Sequence, residues 1–225
     1  MKGKTIDILG RVCRLYRQTE AEFLLIQPVD EHDSSLLDTE VDTIHQMTNK
    51  PFSLVAFKIN DWNKELAPWT TPPVFGREPF GDGSRETLGY VTNTLLPYLS
   101  SHGMDAKHVL LGGYSLAGLF ALWSGYQTDI FEGIVAASPS VWYPGWIEKV
   151  TDEKPKAASV YLSLGDKEEK TKHPVMSQVG DAIRKQHELL LSQGIDTILE
   201  WNPGNHFVDM DKRMAKGFAR LMGND

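Results

Sequence analysis

The chain has 225 residues, 41% hydrophobic and 24% charged, and its 23 Lys and Arg against 30 Asp and Glu give a formal net charge of −7. That length can bury a substantial core, so residues 1–225 are expected to form one α/β domain. The negative charge, with no Lys/Arg cluster, excludes a nucleic-acid surface, because phosphate binding needs concentrated positive charge. The amino terminus runs into no continuous apolar segment, and nowhere do the ~18 apolar residues of a membrane span occur together. The single cysteine, Cys13, cannot form an internal disulfide framework and reads as an ordinary buried or edge thiol. These features lead us to expect a cytoplasmic chain with no membrane association.

Residues 5–9 and 12–16 alternate at period two around Gly10-Arg11 and predict a hairpin. The apolar run 23–26 has the pattern of a buried strand and is closed by Gln27-Pro28-Val29-Asp30. A helix follows, with Ser34 or Ser35 as its cap and Leu36, Leu37, Val41, Ile44 and Met47 at three- and four-residue spacing up to Asn49-Lys50-Pro51. Residues 52–59 make a fourth strand. The longest irregular stretch, 60–84, carries four prolines and the aromatics Trp62, Trp69, Phe75 and Phe80, and is expected to pack beside a functional site. Residues 85–100 then read as a helix, with Leu88, Val91, Leu95 and Leu99 on one face.

At residues 109–122 an apolar run stops at Gly112-Gly113, turns through Tyr114-Ser115-Leu116, and continues into an Ala- and Leu-rich helical segment. Strand, tight turn and helix in that order form a nucleophile elbow, which needs small residues on both sides so that strand and helix can approach. The G-x-S-x-[GA] pattern alone would arise by chance in roughly one chain in ten of this length, so its context matters more. Further strands are predicted at 131–138, 160–164 and 197–201, a helix over 175–193 stopped by Gly194, and a last helix within 208–222. Alternating strands and helices from residue 22 onward predict a mainly parallel, eight-stranded sheet covered on both faces. In such sheets ligands meet the carboxyl ends of the strands. Three of those ends carry Ser115, an acidic turn containing Asp166, Glu168 and Glu169, and His206.

A serine hydroxyl needs an adjacent base to become a nucleophile at neutral pH, and an imidazole can take that proton and pass it to a leaving group. His206 is the candidate base, since it alone among the seven histidines lies in a strand-end loop after the other two candidate groups. Any of the acids at 166–169 could orient it.

The segments 113–121, 137–142, 165–168 and 204–207, together with Glu65-Leu66-Ala67-Pro68-Trp69, resemble the esterase branch of the α/β hydrolases. That branch includes esterase D (S-formylglutathione hydrolase) and the esterases of trilactone siderophores such as enterochelin. The resemblance covers nearly the whole chain and departs at Ala117, where the pattern usually has glycine. It implies an α/β-hydrolase fold without a large separate cap domain, and a serine esterase acting on a small-molecule carboxylic ester or thioester through an acyl-enzyme. It places the acid three residues after Gly165, at Glu168, with Asp166 the alternative. Leu116 and Val29 are the expected oxyanion donors, Pro28 having no N–H, and Trp69, Tyr114 and Trp142 the expected substrate contacts. No cofactor is expected, and His102 and His108 lack a metal-ligand pattern. A non-catalytic binding protein on the same fold and an acyltransferase using the same residues are the competing readings.

Overall fold

The computed structural model describes residues 1–74 and 76–223. Phe75, one of the four loop aromatics, lies outside the described residues. The hairpin forms from β1 (Lys4–Ile8) and β2 (Arg11–Tyr16), but its turn is Leu9-Gly10, one residue earlier than the glycine alone suggested. Both turn residues have positive φ, 48° and 93°, as a tight two-residue hairpin demands. Strand β3 (Phe23–Val29) is buried along its whole length, as its continuous apolar run requires. Helix α1 (Glu31–Met47) starts earlier than Ser34 or Ser35 would place it. Asp30 is its cap, accepting the Asp33 N–H at 2.7 Å, and Glu31 and Asp33 in the first turn complement the helix dipole.

Strand β4 (Phe52–Lys58) leads into the long irregular stretch, which contains a short helix α2 (Trp62–Glu65) and is pinned by a bridge between Thr71 and Phe80. The helix predicted over 85–100 is interrupted. It comprises α3 (Ser84–Tyr90), a π-helical turn (Val91–Leu95) and α4 (Leu96–Ser101). Pro97 has no N–H to give the preceding turn and its ring crowds the carbonyl four residues back, and the wider turn just before it accommodates both. Next come β5 (His108–Tyr114), α5 (Leu116–Gln127), β6 (Gly133–Ala137), α6 (Trp146–Thr151) and β7 (Ser159–Gly165). The last elements are α7 (Val179–Ser192), β8 (Asp196–Asn202) and α8 (Met210–Leu221), and Gly194 at φ 73° follows the end of α7 as expected.

The eight strands form one sheet in the order β1-β2-β4-β3-β5-β6-β7-β8, parallel from β4 to β8 and antiparallel at β1 and β2. Successive strand residues serve opposite faces. Phe23 and Leu25 join α1 and α8 in one core cluster, whereas Leu24 and Ile26 join α5 and α7 in the other. This layering brings the carboxyl ends of β3, β5, β6, β7 and β8 to one rim. Among the described residues no separate cap is inserted, and no helix is long and apolar enough to cross a membrane.

Candidate active site

Ser115 stands between β5 and α5 with φ 57° and ψ −121°, a strained conformation for a residue with a side chain. The packing beside it explains how the turn is held. A Cβ on Gly113 would sit 2.2 Å from the Ala117 carbonyl oxygen, and one on Gly118 would sit 2.9 Å from the Gly113 carbonyl oxygen. Strand and helix therefore touch through Gly113 and Gly118, and Ala117 between them is fully buried. The loop after β8 brings His206 over this turn, its Nε2 3.1 Å from Ser115 Oγ. On the other side of the ring, Nδ1 lies 2.7 Å from Glu168 Oε2.

Glu168 begins a 3₁₀ turn after β7, and its side chain is only 5% exposed. Burial pushes its carboxyl up. The hydrogen bond and charge of His206, the Ser138 hydroxyl and the Gly165 N–H outweigh burial and hold it below the ordinary carboxylate value. Its Oε1 accepts from Ser138 Oγ at 2.7 Å and from the Gly165 N–H at 2.7 Å. Asp166 does a different job: its Oδ1 accepts the Gly204 N–H at 2.9 Å, tying the acidic turn to the histidine loop.

A residue that no sequence motif singles out also reaches Glu168. Arg213, on α8 and 2% exposed, places Nη1 2.9 Å from Glu168 Oε1 and 3.0 Å from both Ser138 Oγ and the Tyr114 hydroxyl. Its Nη2 donates to the carbonyls of Pro203 and Asn205, on either side of Gly204. Nothing in the local sequence distinguishes this arginine. It sits one position from the apolar stripe of α8 (Met214, Phe218, Met222), where a charged side chain usually points to water.

The predicted substrate contacts separate into three groups. Trp142 lines a cleft of about 580 Å³ that contains Ser115, Glu168 and His206. Tyr114, 4% exposed, lines the part of the cleft beside Ser115 and His206, and its hydroxyl donates to the His206 carbonyl at 2.7 Å, so it also braces the histidine loop. Trp69 is turned away from the cleft: its Nε1 donates to the Pro144 carbonyl at 3.0 Å and its ring stacks on Trp146. The apolar wall comes from Trp62, Phe80, Met176 and Val179 beside Trp142, and Phe207, 78% exposed, stands at the mouth. The aromatics at 62 and 80 were visible in the sequence as loop residues, but which of them faced the cleft depends on the Thr71–Phe80 bridge.

The two expected oxyanion donors also differ. Leu116 opens α5 and lines the cleft, where a first-turn N–H has no helical partner. Val29 faces away. Its carbonyl accepts the Ile59 N–H at 2.9 Å, so both backbone groups of Val29 point toward β4. Asp30, one residue on, caps α1 and lines the part of the cleft that holds Ser115 and His206. Of these two neighbours, Asp30 is the one that borders the cleft with Ser115. The neighbouring Asp33 carboxyl is raised to about 6, mainly by burial and then by the Asp30 charge.

A family model described as "Putative esterase" matches residues 42–206, well over half of the chain. No curated protein matches. Among solved structures, an IroE-like serine hydrolase from Shewanella oneidensis is similar over 98% of this chain and 80% of its own, with a TM-score of 0.78 and 16% identity. The siderophore hydrolase EstA from Aspergillus nidulans is similar over 97% of this chain and 94% of its own (TM-score 0.69, 17% identity). The enterobactin esterase FES from Shigella flexneri is similar over 98% of this chain and 58% of its own (TM-score 0.70, 14% identity). At these identities the likeness is one of fold, and the fold is that of the α/β hydrolases. With the family match spanning the elbow, the acidic turn and the histidine, the chain belongs to the esterase family of α/β hydrolases.

Proposed function

We propose that this protein is a serine esterase that cleaves a small-molecule carboxylic ester or thioester through an acyl-enzyme on Ser115. The observation that carries the reading is the continuous relay in which His206 bridges Ser115 Oγ at 3.1 Å and Glu168 Oε2 at 2.7 Å. His206 Nε2 takes the hydroxyl proton as Oγ attacks the ester carbonyl carbon, and the carbonyl π electrons move onto oxygen. Glu168 holds the Nδ1–H tautomer and stabilises the imidazolium that forms. The oxyanion is met by the Leu116 N–H at the positive end of α5 and by the Asp30 N–H. As the tetrahedral intermediate collapses, the C–O or C–S bond breaks and His206 returns the proton to the leaving alcohol or thiol. A water then repeats the sequence on the acyl-enzyme and releases the acid.

The cleft supports an ester with an aromatic or extended apolar portion laid against Trp62, Phe80 and Trp142. The test is covalent. Incubation with a fluorophosphonate should add one phosphonyl group, mapped to the peptide containing Ser115. Absence of the adduct, or an adduct on another residue, would refute the assignment.

A further inference from the structure

The acid and base of the proposed relay both lie on turns outside the sheet. Backbone bonds from Asp166 N–H to the Asn202 carbonyl and from Lys167 N–H to the Gly204 carbonyl join the stems of those turns. None of these bonds reaches the Glu168 carboxylate or sets its rotation. The groups that do are the Gly165 N–H, the Ser138 hydroxyl and Arg213, all on Oε1. Of the three, Arg213 alone also grips the histidine loop, through the Pro203 and Asn205 carbonyls.

We propose that Arg213 is a positioning residue for catalysis: its guanidinium locks Oε1 of Glu168 so that Oε2 faces His206 Nδ1, and fixes the histidine loop to the same planar group. This rests on the assignment of Ser115, His206 and Glu168 made above. A guanidinium suits the task because its donors are held in one plane at fixed spacing, whereas an ammonium is a point charge without that fork. The formal charge of Arg213 also compensates Glu168 when His206 is neutral, so the buried carboxylate does not depend on the imidazole for its only cation. Ser138, at φ 45° after β6, adds a hydroxyl between Arg213 and Glu168 but reaches neither loop carbonyl.

The test compares wild type, Ser115→Ala, Arg213→Lys and Ser138→Ala by thermal melting, by kcat and KM on a p-nitrophenyl ester, and by the low-field NMR resonance of the His206 Nδ1 proton. Arg213→Lys keeps the charge and loses the fork. It should lower kcat by roughly 10²-fold, the cost of a small misplacement of a reacting group, with KM nearly unchanged and the low-field resonance lost or displaced. Ser138→Ala removes one of the groups on Oε1 but not the tie to the histidine loop, so it should lower kcat by less than Arg213→Lys does and keep the resonance. A folded Arg213→Lys protein with wild-type kcat and resonance would overturn the proposal. So would a Ser138→Ala protein that loses both, which would give the orienting role to the hydroxyl, and this variant decides the matter if Arg213→Lys fails to fold. Should wild type neither turn over esters nor react with a fluorophosphonate, the esterase reading fails. The resonance, compared between wild type and Arg213→Lys, still decides whether Arg213 orients the pair.

Discussion

Glu168 is held between two basic side chains, His206 on Oε2 and Arg213 on Oε1, while Asp166 two residues earlier spends its carboxylate on a loop amide. The two acids therefore separate by mutation. Glu168→Gln should lower kcat by roughly 10⁴-fold, because an amide in this place no longer stabilises the imidazolium or its tautomer. Asp166→Asn should leave kcat within a few-fold of wild type, since an amide oxygen can still accept the Gly204 N–H; steady-state kinetics on one ester compares both. At this scale the reactive types are legible in the amino-acid sequence, because Ser115, the acidic turn and His206 each follow a strand-like run. The supporting groups are not. Arg213 lies on a helix with no motif around it, and Val29 and Asp30 are distinguished only by where β3 gives way to α1.

Elements carry the elbow. The positive φ of Ser115 persists because β5 and α5 meet through glycine, and a Cβ at 113 would fall 2.2 Å from backbone. Gly113→Ala should destabilise the fold by about 1–3 kcal/mol or more, as overpacking a rigid contact does, seen as a lower urea midpoint with unchanged m. The elbow is readable from its glycines, and so are the strands, whose apolar runs are short and well punctuated. The start of α1 falls three to four residues before the expected serine caps, since a strand-end aspartate caps as well as a serine does. The π turn before Pro97 and the short helices α2 and α6 have no periodic signal of their own. The π turn answers to Pro97, and α2 and α6 pack on α3 and α7.

For the whole molecule, the strand order gathers the ends of β5, β7 and β8 on one rim, with β6 supplying Ser138 between them. The opposite consequence of dense packing appears under α1 and α8, where Glu40 is 3% exposed and, among the described residues, hydrogen-bonded only through Oε2, to Gln27. Burial raises its carboxyl to about 8 from an ordinary 4.5. The native state therefore keeps a proton that the unfolded chain releases between about pH 4.5 and 8, and stability falls as pH rises through that window. Asp33, raised to about 6, acts with the same sign over the lower part of it. Glu168, held low, acts oppositely, and its contribution is lost only as pH falls below about 4.5. Thermal melts should show wild type losing stability from about pH 5 to 8, and Glu40→Gln should flatten much of that decline; an unchanged slope would refute the assignment. The central claim, that the rim is an esterase site with Ser115 as nucleophile, is tested most directly by kcat/KM for a short p-nitrophenyl ester in wild type and Ser115→Ala. We predict a loss of more than ~10³-fold on substitution, whereas a folded Ser115→Ala protein with wild-type kcat/KM would contradict the account.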